Sequence, residues 1–470
     1  MESPSNLISV NRLDVFSKTP LAYAWANGLD DAWGQELYKT YMLATRPPKG
    51  FSEDDLKYSL DDYIQSFRTL FESIKLRGFD PKYGSIPSTE LGITNGAHRL
   101  ASALVLGENV VRKHSTEENH NYGFRFMQSV GIPEKYIDAT VLEYLYYAQK
   151  STVFCAMGIA SSQAVNIQKS LDQSGFSTVY VKAVKLGEIG QRRLMKVLYG
   201  SNDWWTKDFY ESLAIERFSN SDSTHFFFVE SKLPEKEILF KSEAREKYFD
   251  SYTFKKFHSS DNNEETMRIA QSVLNENSLL VLNEAPIESE RRLIEIIRGH
   301  HYLQNLDPKN FAIDGSANLE IFGIRKAKDL DFIEIEKKYS EVSPSSMSHN
   351  LEYQHLPIEP SQLIIDPRNF AVVEGYKFVS IAQTISFKAH RAEDKDLLDI
   401  SNLCERKVLG SIYGDDKTRR ALVYLRFKVV LRKRVNRVLA PLPNWFQKLF
   451  RNSYVQLRKF FKRLISPFNH

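Results

Sequence analysis

Apolar and aromatic residues recur at helical spacing through LAYAWANGLDDAWGQELYKTYM and LDDYIQSFRTLFESIKLRGF, so residues 1 to about 80 read as helices, the second stretch ending at Gly78. The period then changes. Ile86-Pro87 and Gly92-Ile93-Thr94-Asn95 read as short strands feeding Gly96-Ala97-His98-Arg99, after which LASALVLG is a short apolar helix stopped by Gly107 and Val110-Val111 opens another strand. From about 150 to 285 the pattern alternates: strand TVFCAMG, helix SSQAVNIQKSLDQSG, strand STVYVKAVKL, helix GQRRLMKVLYG, strand THFFFVES. The polar loop HSSDNNEET leads into helix MRIAQSVLNEN and then strand SLLVLNEAP. A helix over residues 287 to 304 delivers the chain to strand NFAIDGS, DLDFIEI is a further strand, KKYSEVSPSSMSHNLEY is a loop, and FAVVEGYKFVSI is a strand passing into one helix, AQTISFKAHRAEDKDLLDISNL. Strands alternating with helices predict an α/β, multidomain protein. The expected divisions are 1–150, a helical lead-in with a small α+β module; 151–285, a central α/β domain; 286–410, a mixed-sheet domain; and 411–470, a basic amphipathic helical tail.

Length allows this, since 470 residues can fill two to four cores. Charge sharpens the last division. Of the 63 Lys and Arg, fifteen fall between Lys417 and His470, where there is no Asp or Glu, leaving 48 basic against 59 acidic residues before them and a net of −11. The tail is therefore a separate electrostatic object. Phe446, Leu449, Phe450, Leu457, Phe460, Phe461 and Leu464 recur in it at helical spacing with Lys and Arg between them. Such a helix suits an anionic membrane surface, with packing on the same chain or an oligomer and binding to nucleic acid as the competing readings. No run of eighteen apolar residues could span a bilayer, and the opening MESPSNLISVNRLDVF lacks a basic stretch followed by an apolar one. Only Cys155 and Cys404 are present, as free thiols in a reducing compartment would be. The expected location is the cytoplasm, peripheral to the inner face of the membrane.

Candidate chemistry lies in two places. Asp314-Gly315-Ser316 is followed, after twelve residues, by Asp329-Leu330-Asp331. Alternate carboxylates on one strand project to one face and can share a hard divalent cation, while glycine lets backbone N–H groups approach phosphate oxygens. The segment DGSANLEIFGIRKAKDLDFIEI resembles the nucleotidyltransferase superfamily, including the choline-phosphate transferases of the LicD and fukutin type. FKAHRAEDKDLLDI is similar to the K-x-x-x-R-x-x-KD-x-x-D helix of its toxin-type members. The resemblance, over roughly residues 285 to 405, implies that Gly315 and Ser316 contact nucleotide phosphates and that Asp329 and Asp331 hold Mg²⁺ or Mn²⁺. It also directs Lys388, Arg391 and Lys395 at phosphate from one stripe of a single helix. The third carboxylate used by many members has Asp366 and Glu374 as its nearest candidates.

SIPSTELGITNGAHRLASALVLGENVV resembles the ParB and sulfiredoxin-like fold, whose glycine turn and short helix bind nucleotide phosphates. Gly96 permits the turn, the helix start offers unpaired N–H groups, and His98 and Arg99 supply charged donors. The alternative role for His98 and Arg99 is to cap or salt-bridge a helix start. Sulfiredoxin chemistry would need a cysteine in the turn, where this chain has Ala97. In the central region Lys241, Arg245 and His258, with Glu264 and Glu265, carry chemistry only where the fold joins them.

These readings predict a Mg²⁺-dependent nucleotidyltransferase or phosphotransferase that uses a nucleoside triphosphate or a nucleotide-activated donor. Its acceptor is a sugar, polyol or other small molecule, in bacterial surface polysaccharide synthesis by analogy with LicD-type members. The alternative is a ParB-like nucleotide-binding regulatory or nucleic-acid-associated protein with a relict transferase site.

Overall fold

The computed structural model describes residues 1–45, 59–80, 84–118, 120–200, 207–218, 221–230, 234–249, 254–335, 346–348, 353, 358–391 and 393–405. Among the described residues, helices and three small sheets give a mixed α/β protein, which divides into two compact units. The first comprises Met1–Asn283 and Ile365–Gly375, the second Glu284–Ile364 and Tyr376–His470. The expected basic tail lies outside the described residues.

In the first unit, helix Leu60–Arg77 starts at a reciprocal cap, Ser59 Oγ accepting from the Asp62 N–H and Asp62 accepting from the Ser59 N–H. Its buried Tyr63, Phe67, Phe71 and Ile74 form one stripe, and Trp25 of helix Thr19–Asn27 meets Phe67 edge-on at 5.0 Å and Phe71 at a tilt at 5.7 Å. Strand Ile86–Thr89 pairs antiparallel with Gly92–Ile93 and parallel with Arg112–His114. Helix Ala97–Leu106 makes the crossover, stopping at Gly107 in the left-handed conformation.

The central sheet has the order Ser177–Lys185, Ser223–Glu230, Ser151–Met157, Phe257–Ser259, and every pairing in it is antiparallel. Every residue of Ser151–Met157 is buried, as befits a strand covered on both faces. Phe154, Phe176, Phe227, Phe240 and Phe257 fill one side. Two local expectations fail here. SLLVLNEAP is not a strand but part of helix Glu276–Glu284, and HSSDNNEET is not a loop, because His258 and Ser259 continue strand Phe257–Ser259 and Asn263 opens helix Asn263–Val273. The later segment Ile365–Gly375 completes this unit. Asn275 and Asn277 side-chain amides donate to the Pro367 and Arg368 carbonyls at 2.8 and 2.9 Å, Val372 N–H donates to Ser278 Oγ, and Arg368 grips Glu36 with bonds of 2.7 and 2.8 Å while lying over the Trp33 ring.

In the second unit, strands run Ser346–Ser348, Leu330–Glu334, Phe311–Asp314, Tyr376–Val379, with one antiparallel pair between two parallel ones. Ala312, Ile333, Leu363, Ile364, Val379 and Tyr353 form its core. FAVVEGYKFVSI is two strands, not one, because Glu374 and Gly375 both take positive φ, the geometry of a tight turn. The final helical run is likewise two helices, Ile381–Arg391 and Asp394–Glu405.

Candidate functional site

Strand Phe311–Asp314 ends in Gly315, whose φ of 68° and ψ of −133° suit glycine alone, and Ser316 opens the short helix Ser316–Ile321. Asp314 is the register partner of Asp331 on the antiparallel neighbour, so the two carboxyl groups share a sheet face. The same crowding explains the glycine: a β-carbon at position 315 would stand 2.5 Å from Asp331 Oδ2. Buried Tyr353 donates its hydroxyl to both Asp314 oxygens at 3.1 Å, and burial, with Asp314 and Asp331 nearby, pushes that hydroxyl well above the usual tyrosine range. Asp329 stands one residue ahead of strand Leu330–Glu334, exposed, within electrostatic reach of Arg325.

The carboxylate brought to Asp331 is thus Asp314, which the sequence reading passed over although it directly precedes Gly315. Antiparallel pairing of two strands with acids at matching ends is the signal that would have found it. The two acids weighed as the third ligand, Asp366 and Glu374, belong to the first unit, where Arg368 holds Asp366 at 2.7 Å and Lys196 stands 3.5 Å from Glu374. Among the described residues no group of three His, Cys, Asp or Glu side chains is placed to hold a metal. Asp314 and Asp331 fit the looser mode in which Mg²⁺ takes one or two protein carboxylates and completes its shell with substrate phosphates and water.

The cations do not form one stripe. Lys388 is buried, its Nζ 2.7 Å from Asp399 and 3.2 Å from Asp396. Arg391 donates to Asp396 at 2.6 and 3.0 Å, and Arg325 to Asp399 at 2.8 and 3.1 Å. Lys395, on the second helix, is exposed beside Glu393 at 3.2 Å. Burial alone would raise Asp396 and Asp399, but hydrogen bonds from Arg391, Arg325 and Lys388 and the charges behind them hold both below the usual aspartate range. The network Arg325–Asp399–Lys388–Asp396–Arg391 therefore ties the end of the chain's described part to the loop that carries Asp329.

In the first unit Gly96 takes φ of 90° and caps helix Ala97–Leu106. His98 Nε2 lies 2.9 Å from Tyr38 Oη, its ring packed on Tyr38 and Phe67. Arg99 donates to the Ser85 carbonyl at 2.6 Å and covers Gly84 and Gly96. Both side chains are thus engaged within the fold.

Residues far apart in sequence converge on the central sheet instead. His258 Nε2 is 2.8 Å from Glu265 Oε1, Glu265 also accepts the Asp261 N–H, and the Tyr199 ring meets the imidazole edge-on at 5.3 Å. His258 Nδ1 has no hydrogen bond among the described residues. Arg245 donates to the Phe257 carbonyl at 2.8 and 3.2 Å, one helical turn from Lys241. Burial lowers both cations, aided by Arg245 acting on Lys241 and Arg217 acting on Arg245. Arg217 is itself buried, with Nη1 3.0 Å from Glu216 and, among the described residues, no acceptor for Nε. Crowded cations around a glutamate-oriented imidazole favour an anion. Glu264 points away, exposed.

No protein-family model, curated protein or solved structure matches this chain. Among the described residues no helix is long and apolar enough to cross a membrane.

Proposed function

We propose that the protein is a divalent-cation-dependent nucleotidyltransferase or phosphotransferase whose site lies in the second unit. The observation that carries this reading is the Asp314–Asp331 pair facing across the Gly315 turn, from which only glycine's lack of a side chain keeps Asp331 clear. Asp331 and Asp314 would hold Mg²⁺ or Mn²⁺, with substrate phosphates and water completing its shell, and Ser316 with the Gly315 backbone would seat the phosphates of the nucleotide. The cation supplies charge neutralisation at the phosphoryl group. Tyr353 fixes the direction of Asp314. Lys388 and Arg391 act through Asp396 and Asp399 as positioning residues, steadying Arg325 beside Asp329. A sugar or polyol is the proposed acceptor, in bacterial surface polysaccharide synthesis, at the cytoplasmic face of a membrane reached through the basic tail. The specific folds proposed are a ParB/sulfiredoxin-like module at the N-terminus and a nucleotidyltransferase-like domain in the second unit.

The test is a thermal-shift screen of the four nucleoside triphosphates with and without Mg²⁺, repeated on Asp331→Asn. Stabilisation that needs the cation and vanishes in the variant supports the reading. Stabilisation equal in wild type and variant overturns it.

A second reading has its own observation, the His258 cluster. There a phosphoryl group would pass from a nucleoside triphosphate to His258 Nδ1, a P–N bond replacing the β–γ P–O bond and a nucleoside diphosphate leaving, while Arg245 and Lys241 hold the phosphate oxygens. The second-unit site would then be relict. Acid-labile label from γ-labelled ATP that disappears in His258→Asn and persists in Asp331→Asn favours this reading over the first.

A further inference from the structure

Strand Ser151–Met157 runs directly into Gly158, a position that tolerates no side chain. Its φ is 58°, and a β-carbon there would stand 2.5 Å from the Phe218 carbonyl oxygen and 2.7 Å from that of Arg217. Through this turn the chain enters a short helical run, Gly158–Gln163, which passes into helix Ala164–Gln173. In the sheet, Ala156 is the register partner of His225 and Met157 of Thr224, so the turn lies beside the start of strand Ser223–Glu230. Ser161 thereby meets His225: its Oγ is 2.5 Å from the imidazole Nδ1, across 64 residues of sequence.

Serines in the helices of this chain ordinarily satisfy themselves locally. Ser162 donates to the Ile159 carbonyl at 2.8 Å, and Ser102, Ser212 and Ser272 each donate to the carbonyl four residues earlier. Ser161 is bonded to a titratable ring instead. Burial lowers His225 from its ordinary value of 6.5, so at neutral pH the ring is uncharged and one nitrogen can accept the hydroxyl proton. The ring stacks on Phe227 at 6.3 Å, and His225 is half-buried, which leaves part of its surface open to solvent. A hydroxyl within hydrogen-bond reach of a neutral imidazole is the arrangement that activates a serine.

We propose that Ser161 is a nucleophile and His225 its general base, in acyl transfer from an ester with an uncharged, apolar acyl group. Ser161 Oγ bonds to the ester carbonyl carbon while its proton passes to His225 Nδ1; the C–O bond to the alcohol breaks, and the alcohol leaves with that proton. Water then gives a proton to the same nitrogen as it attacks the acyl-serine, releasing the acid and restoring the hydroxyl. The substrate class follows from the surroundings in the chain. Residues 151–168 contain no charged side chain, and Ile159 and Val165, two positions before and four after Ser161, are 54 % and 66 % exposed. Apolar side chains at the surface on both sides of the nucleophile suit an acyl chain. Among the described residues no carboxylate is bonded to His225, so the third member of a triad is missing and turnover should be slow. The inference is independent of the phosphoryl chemistry proposed above.

The experiment treats the full chain with a fluorophosphonate, which a serine captures as fluoride leaves, and separately with p-nitrophenyl butyrate. Wild type, Ser161→Ala, His225→Gln and Ser162→Ala are compared by intact mass, peptide mapping and melting temperature. One adduct is expected, mapped to Ser161, absent in Ser161→Ala, unchanged in Ser162→Ala and formed about a hundredfold more slowly in His225→Gln. The butyrate ester should give a burst of about one equivalent of p-nitrophenol before slow turnover. On wild type alone, the labelling rate should rise with pH through one ionisation below 6.5, the direction in which His225 is shifted, so the result does not depend on how the variants fold. No adduct on wild type, an adduct at another residue, or a rate indifferent to both His225→Gln and pH would each overturn the proposal.

Discussion

Lys388 and Lys395 carry the same charge seven residues apart, and the fold gives them opposite consequences. Lys388 is enclosed by Asp396 and Asp399, whereas Lys395 reaches solvent beside Glu393. Replacing Lys388 by Met leaves two buried carboxylates short of a counter-charge, a loss of about 3–5 kcal/mol in stability. Lys395→Ala should change stability by no more than about 0.5 kcal/mol. Urea unfolding of the two variants checks the contrast, and equal midpoints would refute it. Sequence spacing singled out both lysines and could not tell them apart, since burial depends on which way the helix turns. Asp314 is the mirror case. Nothing local marks it as chemically special, and only its cross-strand partner Asp331 does.

At the scale of elements, the pair of helices Ile381–Arg391 and Asp394–Glu405 is held by carboxylates that stay ionised below their ordinary value of 3.8. In the unfolded chain those groups take up protons first. The stability they contribute is therefore present above that value and is lost as pH falls through it towards their lower folded values. Hydrogen exchange over residues 381–405, corrected for the intrinsic rate, should show protection falling in that window. Protection unchanged down to strongly acidic pH would remove the network as the cause.

The same pair marks where sequence legibility stopped. FKAHRAEDKDLLDI holds neither glycine nor proline to mark a break, and the two-helix geometry depends on Asp396 folding back to accept the Glu393 N–H at 3.0 Å. SLLVLNEAP failed for a related reason: Leu279, Leu280, Val281 and Leu282 form a run too short for periodicity to separate buried helix from strand. Asn275, whose side chain accepts the Ser278 N–H at 2.8 Å, was the available helix-start signal. By contrast, strand TVFCAMG, strand THFFFVES and the Gly107 stop were readable because composition and punctuation there agree with the tertiary burial.

For the whole molecule, the asymmetry of charge is the property that no single site explains. Residues 1 to 416 carry a net of −11 and the tail adds fifteen cations. Ending the chain after residue 416 should abolish sedimentation with anionic vesicles, and the intact chain should lose that binding as salt is raised. Binding that survives the truncation would assign the membrane contact elsewhere. Intact chain that ignores vesicles but retards duplex DNA would move the tail to nucleic acid.

The return of residues 365–375 to the first unit sets an order of events during synthesis. A ribosome has finished Asn283 long before it supplies the carbonyls of Pro367 and Arg368, and at roughly 5–20 residues per second the wait through Glu284–Ile364 lasts several seconds. Throughout that interval Glu36, Asn275, Asn277 and Ser278 lack the partners that residues 367–372 supply in the finished fold. A fragment ending at residue 283 should accordingly melt earlier by tryptophan fluorescence than the same unit in the full chain. In the cell the first unit is expected to stay incomplete, and open to chaperones, until residues 365–375 have left the ribosome.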